Sequence, residues 1–235
     1  MKAARWHGQR DIRVEDVPEP VFGPGEVKLK LAWAGICGSD LHEYMAGPIF
    51  IPAGQDHPLS HDRAPIVMGH EFCGTVTELG EGVEGLAVGE RVAIEPIFAC
   101  GACPACREGK YNLCDKLGFV GLSGGHGGFS AYSVVAARMV HKMPEGLSLE
   151  QGAMVEHSAV ALHAVRLSSI RAGDSAAVFG AGPIGLLVIE ALRPAGREGR
   201  PDRAAQDACD EAPFRCSRKG ASPMPQPTGR PGAVG

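Results

Sequence analysis

A chain of 235 residues, 44% hydrophobic and 21% charged, has the composition of an ordinary globular protein and room for one large domain or two modest ones. Its net charge of −4 is uneven, with 15 Lys/Arg against 22 Asp/Glu in residues 1–192 and eight against five in residues 193–235. An acidic body excludes a nucleic-acid footprint, and no apolar run is long enough to cross a bilayer. The N-terminal MKAARWHGQRDIR has no apolar leader core, so a cytoplasmic location is expected, where cysteines serve as thiols or metal ligands rather than disulfides.

Residues 1–141 read as short strands between turns. In GPGEVKLKLAWAGIC, Val27, Leu29 and Leu31 alternate with Lys28 and Lys30, the period of a half-buried strand, and EFCGTVTELG, GERVAIEP and GFSAYSVVAARMV repeat the theme. Such a series predicts a mainly β architecture, a closed or nearly closed barrel. Near Ser148 the pattern changes: Ser148 and Gln151 form a capping-box start, and a helix-compatible stretch follows. AGDSAAVFGAGPIGLLVIEAL then reads as a strand at about 175–179, a glycine turn and a helix. The expected organisation is a barrel domain over 1–147, linking helices and the first βα unit over 148–192, and a disordered tail over 193–235.

CGACPACREGKYNLC spaces Cys100, Cys103, Cys106 and Cys114 as C-x2-C-x2-C-x7-C. Four soft sulfurs with no open position describe a structural zinc site. The iron–sulfur run C-x2-C-x2-C-x3-C-P is the rival, but here the last gap is seven and Asp115 follows. A second set is chemically different. GICGSDLHEY supplies Cys37, Ser39 and His42, and VMGHEFCGTV supplies His70 and Glu71. One thiolate, one imidazole and one carboxylate suit a metal site that keeps a position for substrate.

The glycines of GAGPIG, Gly180, Gly182 and Gly185, fit G-x-G-x-x-G between a strand and a helix, the start of a dinucleotide-binding unit. The acid that should close a second strand about twenty residues on is absent from a strand pattern, because Asp202 follows GREGRP. The 43 residues from Arg193 hold seven Pro and six Gly and, among Ile, Leu and Val, only Val234. The break resembles translation of a GC-rich gene in a shifted frame, and leaves the expected Rossmann domain incomplete.

With these residues in view, the sequence resembles the zinc-dependent medium-chain alcohol and polyol dehydrogenases. Gly69, His70, Glu71, Gly74, Gly80 and Val83 match the pattern G-H-E-x-x-G-x5-G-x2-V, and HEYMAGPIFIPAGQDHPLS and GFVGLSGGHGGFSAYSVV look most like the 2,3-butanediol branch. The resemblance covers about residues 1–192. It implies a GroES-like β-barrel catalytic domain with a structural-zinc lobe, followed by the start of an α/β Rossmann domain. It also implies a catalytic zinc at Cys37, His70 and Glu71, with Glu156 coordinating or approaching it, and a proton relay through Ser39 and His42. The polyol branch commonly has proline after that glutamate, where this chain has His157.

The implied reaction passes hydride between a secondary alcohol or its ketone and NAD, NADP remaining open without the ribose-binding acid, in a homo-oligomer. With an incomplete coenzyme domain the chain alone is expected to be inactive, and a zinc-binding fragment without turnover is the alternative. His57 and His61 read as exposed loop histidines, His126 as part of a flexible turn, His163 as a helix residue, and Cys73, Cys209 and Cys216 as spare thiols.

Overall fold

The alternation around Val27 folds as expected. The computed structural model describes residues 1–171 and 173–195. In chain order the elements are β1 (Lys2–Gly8), β2 (Asp11–Asp16), β3 (Glu26–Gly35), α1 (Gly38–Ala46), β4 (Ile66–Val67), β5 (Glu71–Leu79), β6 (Arg91–Ile94), β7 (Ile97–Phe98), α2 (Pro104–Arg107), β8 (Gly118–Phe119), β9 (Tyr132–Ala136), β10 (Val140–Lys142), α3 (Leu149–Gly152), α4 (Val155–Leu167) and α5 (Pro183–Ala195). They fall into two compact units, Met1–Val160 and the described residues from Ala161 on.

Strand β3 organises the first unit. It pairs antiparallel with β5 on one side and β9 on the other, inside a five-stranded sheet of order β10-β6-β5-β3-β9. Val27 and Leu29 are fully buried and pack with Phe72, Val76 and Val135. Lys28 points the other way. Its ammonium reaches Glu19 at 2.6 Å and Glu78 at 2.9 Å and lies over the Tyr132 ring. The period of two therefore separates an apolar core from a charged face.

A three-stranded sheet of order β2-β1-β4 packs Trp6, Ile66 and Met68 into a second core. Among the described residues, isolated bridges at Ala3–Ser130 and Val67–His126 join the two sheets rather than a continuous ladder. The main sheet is thus curled as a half-barrel rather than closed into a continuous one. The predicted capping box at Ser148 forms, with Gln151 N–H donating to the Ser148 hydroxyl at 3.1 Å and Ser148 N–H donating to the Gln151 amide oxygen at 2.9 Å.

In the second unit the expected strand at 175–179 is not a strand. A lone extended segment becomes one only by pairing, and among the described residues no strand pairs with it. The glycine turn and α5 do form, and α5 runs to Ala195, past the predicted break at Arg193. The rest of the tail, from 196 on, with Asp202, Cys209 and Cys216, lies outside the described residues.

Candidate metal centres

The β3–β5 ladder brings Cys37 and His70 together. Gly35, the last residue of β3, sits opposite Glu71, the first of β5. The chain beyond Gly35 and the chain before Glu71 therefore leave the sheet at the same end. Cys37 caps α1, and its N–H donates to the Asp40 carboxylate at 2.9 Å, fixing how the chain enters the helix. The outcome is a group in which one ligand atom each of Cys37, His70 and Glu71 lies within 4.8 Å of the others.

His70 is held from both ring nitrogens. Nε2 faces Ser39 Oγ at 3.2 Å and Glu71 Oε1 at 3.9 Å. Nδ1 faces Asp40 Oδ1 at 3.6 Å, a charge contact rather than a hydrogen bond. Asp40 is almost fully buried. It is a site residue that motif matching misses, and its one sequence signal is an acid three residues after Cys37, at a helix-capping position. Such a carboxylate behind a ligand histidine fixes the ring and its tautomer.

The electrostatics of this group favour a cation. Burial alone would lower the His70 pKa, but Asp40 and the Cys37 thiol outweigh it and push the imidazole up to about 10. Burial also works against ionised Glu71, yet the His157 imidazole and the Cys37 thiol hold its carboxyl below the usual range. Asp40 Oδ1, His70 Nδ1, both Glu71 oxygens and His157 Nδ1 are buried without a hydrogen-bond partner among the described residues. A half-buried thiol with a buried imidazole and carboxylate, beside orphaned polar atoms, fits a zinc ion with one open position. Zinc takes neutral imidazole, so uptake must displace a proton. We expect proton release on zinc binding and an affinity that weakens as pH falls, by roughly tenfold per pH unit for each proton displaced. Calorimetric titration in two buffers of different ionisation enthalpy measures this.

Glu156 lies in a different group. Its carboxylate gathers with those of Glu71 and the His157 ring within 4.8 Å, so Glu71 belongs to both groups. Burial raises the Glu156 pKa. Ser39 and His42 share one face of α1, a turn apart; Ser39 is half-buried against His70, and His42 is exposed.

The quartet hangs from the two-residue ladder of β7 and β8. Cys103 caps α2, Cys106 sits within it, and Cys114 follows a 3-10 turn over Tyr111–Leu113. All four sulfurs lie within 4.8 Å of one another. Backbone N–H groups turn toward them: Cys103 donates to Cys100 Sγ at 3.3 Å, Cys100 to Cys114 Sγ at 3.2 Å and Lys116 to Cys114 Sγ at 3.3 Å. The N–H groups of Ala102 and Cys103 pull the Cys100 thiol down to about 6, while burial and the neighbouring thiols push Cys106 up to about 12. Four sulfurs this close cannot all ionise without a cation among them. Four thiolates leave no position for a competitor, so zinc in the quartet should outlast zinc at Cys37–His70–Glu71 under chelation. A chromophoric chelator should therefore report two separate release phases, the open site emptying first.

His57 corrects the sequence reading. It is half-buried, not exposed: its Nδ1 accepts from the N–H groups of Leu59 and Ser60 at 3.4 and 3.3 Å, and its ring faces Phe98. The polar stretch GQDHPLSHD hides this, because the ring is recruited by its own turn. His61 is exposed, as expected. His126 is half-buried and bridges to Val67, so it sits in a paired segment rather than a loose turn. Cys73 is fully buried and donates to the Leu149 carbonyl at 2.8 Å, and His163 lies in α4.

In the glycine turn, Gly180 adopts φ +104°, and a Cβ on Gly185 would collide with the Gly180 carbonyl oxygen. Close approach of turn and helix therefore requires both glycines. The turn leads into the 13-residue helix α5, whose first N–H groups suit a phosphate. The residues present fit the pyrophosphate end of a dinucleotide.

Residues 23–145 match the alcohol dehydrogenase GroES-like domain family. The (R,R)-butanediol dehydrogenase of Bacillus subtilis (strain 168) is 61% identical over 196 residues, 83% of this chain and 56% of that protein. The crystal structure of 2R,3R-butanediol dehydrogenase from Bacillus subtilis superposes with a TM-score of 0.78 at 61% identity, covering 83% of this chain and 55% of that one. A short chain alcohol dehydrogenase from E. coli CFT073, complexed with cofactor NADH, gives 0.72 at 36% identity over 82% of this chain and 53% of that one. The chain spans little more than half the length of these relatives.

Proposed function

The chain belongs to the alcohol dehydrogenase GroES-like domain family, and from that premise we propose that it is a zinc-dependent oxidoreductase passing hydride between a secondary alcohol of the 2,3-butanediol/acetoin type and NAD. The observation that carries this reading is the half-buried Cys37 thiol gathered with the buried His70 imidazole and Glu71 carboxylate beside the Ser39 hydroxyl. When bound there, zinc would act as a Lewis acid on the alcohol oxygen and lower its pKa. Ser39 Oγ is placed to accept the hydroxyl proton and pass it toward His42, which is exposed and can exchange it with water. Asp40 holds the His70 ring so that Nε2 faces the site. The turn Gly180–Gly185 and the N-terminus of α5 would hold the coenzyme pyrophosphate. The quartet would hold a second, structural zinc that takes no part in turnover.

The identity to (R,R)-butanediol dehydrogenase supports the substrate class, and the NADH-bound relative supports the coenzyme. The test is threefold: metal content of the purified chain, calorimetry with NADH, and NADH formation from (R,R)-2,3-butanediol. Two zinc ions per chain with saturable, butanediol-dependent NADH formation is the result this reading requires, and it would overturn the expectation of inactivity drawn from the incomplete coenzyme domain. Zinc in the quartet alone, with no NADH binding, would leave a zinc-binding module and sink the enzyme reading.

A further inference from the structure

We propose that His157 is a positioning residue for Glu71, holding that carboxylate at the metal carried by Cys37 and His70. The proposal rests on the zinc reading above. His157 stands in the first turn of α4, and its Nε2 lies 2.6 Å from Glu71 Oε1. This is the same oxygen that faces His70 Nε2 at 3.9 Å. A carboxylate oxygen has two lone pairs, so Oε1 can face His157 at ion-pair distance and still offer one pair to a metal.

The pair is built into the fold. Glu71 is wholly buried, and an ion so placed is costly unless a partner meets it. Strand β3 ends in glycine where the pair packs: a Cβ on Gly35 would lie 2.6 Å from Glu71 Oε2 and 3.0 Å from His157 Cε1. Neither Glu71 oxygen has a hydrogen-bond partner among the described residues, and His157, at 2.6 Å, approaches the carboxylate more closely than His70 does at 3.9 Å, so this ion-pair contact limits its rotation. Without it, Glu71 could swing to present both oxygens or neither. His157 also has its Nδ1 buried and unpartnered, so the test must separate a positioning residue from a ligand.

The full chain is prepared with zinc in the quartet and Co2+ exchanged into the open site. Two quantities are read: the visible spectrum of the cobalt and its rate of release to a chelator. Loss of an outer partner to a ligand typically costs about 10–100-fold in metal affinity, so His157→Leu should speed cobalt release by at least roughly tenfold and change the d–d bands. His157→Gln keeps an N–H donor on a side chain that is a poor cobalt ligand, and should restore both readings to near the parent. Quartet zinc should be retained in both variants, showing that the fold is intact. Equal loss in the Leu and Gln variants would mean that His157 is a ligand or a filler, and an unchanged Leu variant would mean that it does nothing; either overturns the proposal. A parent chain that takes up no cobalt at the open site would instead overturn the zinc reading itself.

Discussion

Cys103→Ser should empty the quartet and unfold the loop between β7 and β8, leaving the barrel folded. Little besides metal holds that loop. It contains a four-residue helix and one 3-10 turn, neither with a buried residue, and Cys114 is its one buried side chain. Its anchors are two residue pairs, Ile97–Phe119 and Phe98–Gly118. Structural zinc supplies roughly 10–16 kcal/mol of folding free energy in small zinc-finger peptides, far more than a two-pair ladder can offer. Serine keeps the size of the residue and removes a soft thiolate. Cys103 also caps α2, so the helix loses its anchoring ligand at the same position. Native mass spectrometry should show one zinc fewer, and limited proteolysis should cut between Ala99 and Lys116. The core around Val27, Phe72 and Val92 lies on the main sheet, so the barrel should keep a cooperative thermal transition. A Cys103→Ser chain that kept two zinc ions and resisted protease would show that the quartet is not a structural site.

What the sequence disclosed and what it hid divide along contact range. The quartet, the start at Ser148 and the β3 alternation are local patterns, and each appears where its spacing put it. The donors Cys37, His70 and Glu71 were readable as residue types, but their meeting depends on Gly35 pairing with Glu71. A register of that kind is set by the whole β3–β5 ladder, including its two irregularities, and leaves no local mark. His157 shows the limit most clearly. In the sequence it is only a residue standing where the resemblance leads one to expect proline; in the fold it touches Glu71. Glu43 is similar. It belongs to no motif in the sequence, yet it is fully buried and accepts N–H groups from Ile49, Phe50 and Ile51, tying down the loop after α1. The segment at 175–179 errs in the other direction, since apolar composition alone cannot make a strand without a partner.

His70→Ala should abolish metal binding at the open site and destabilise the metal-free chain, whereas Cys37→Ser should lose the metal and keep the fold. The difference follows from what each variant leaves behind. Without His70, the nearly buried Asp40 and the wholly buried Glu71 lose the cation between them. Breaking a buried pair by removing one partner costs about 3–5 kcal/mol, because the remaining charge is stranded. Serine at 37 strands nothing: its N–H still donates to Asp40, and a hydroxyl replaces the thiol. In a longer relative that carries these same first 192 residues, both variants should bring butanediol-dependent NADH formation to background, because three ligands are the minimum for a catalytic zinc. The pH dependence gives the sign. The folded His70 pKa stands at about 10, above its ordinary value of 6.5. Its contribution to the metal-free chain is therefore fully present below about 6.5 and is lost as pH rises through 10. The stability gap between parent and His70→Ala, measured by urea unfolding in chelator, should be wide near pH 6 and shrink toward pH 10. A gap that grew with pH would mean that the imidazole is buried neutral, and that Asp40 does not hold it as a cation.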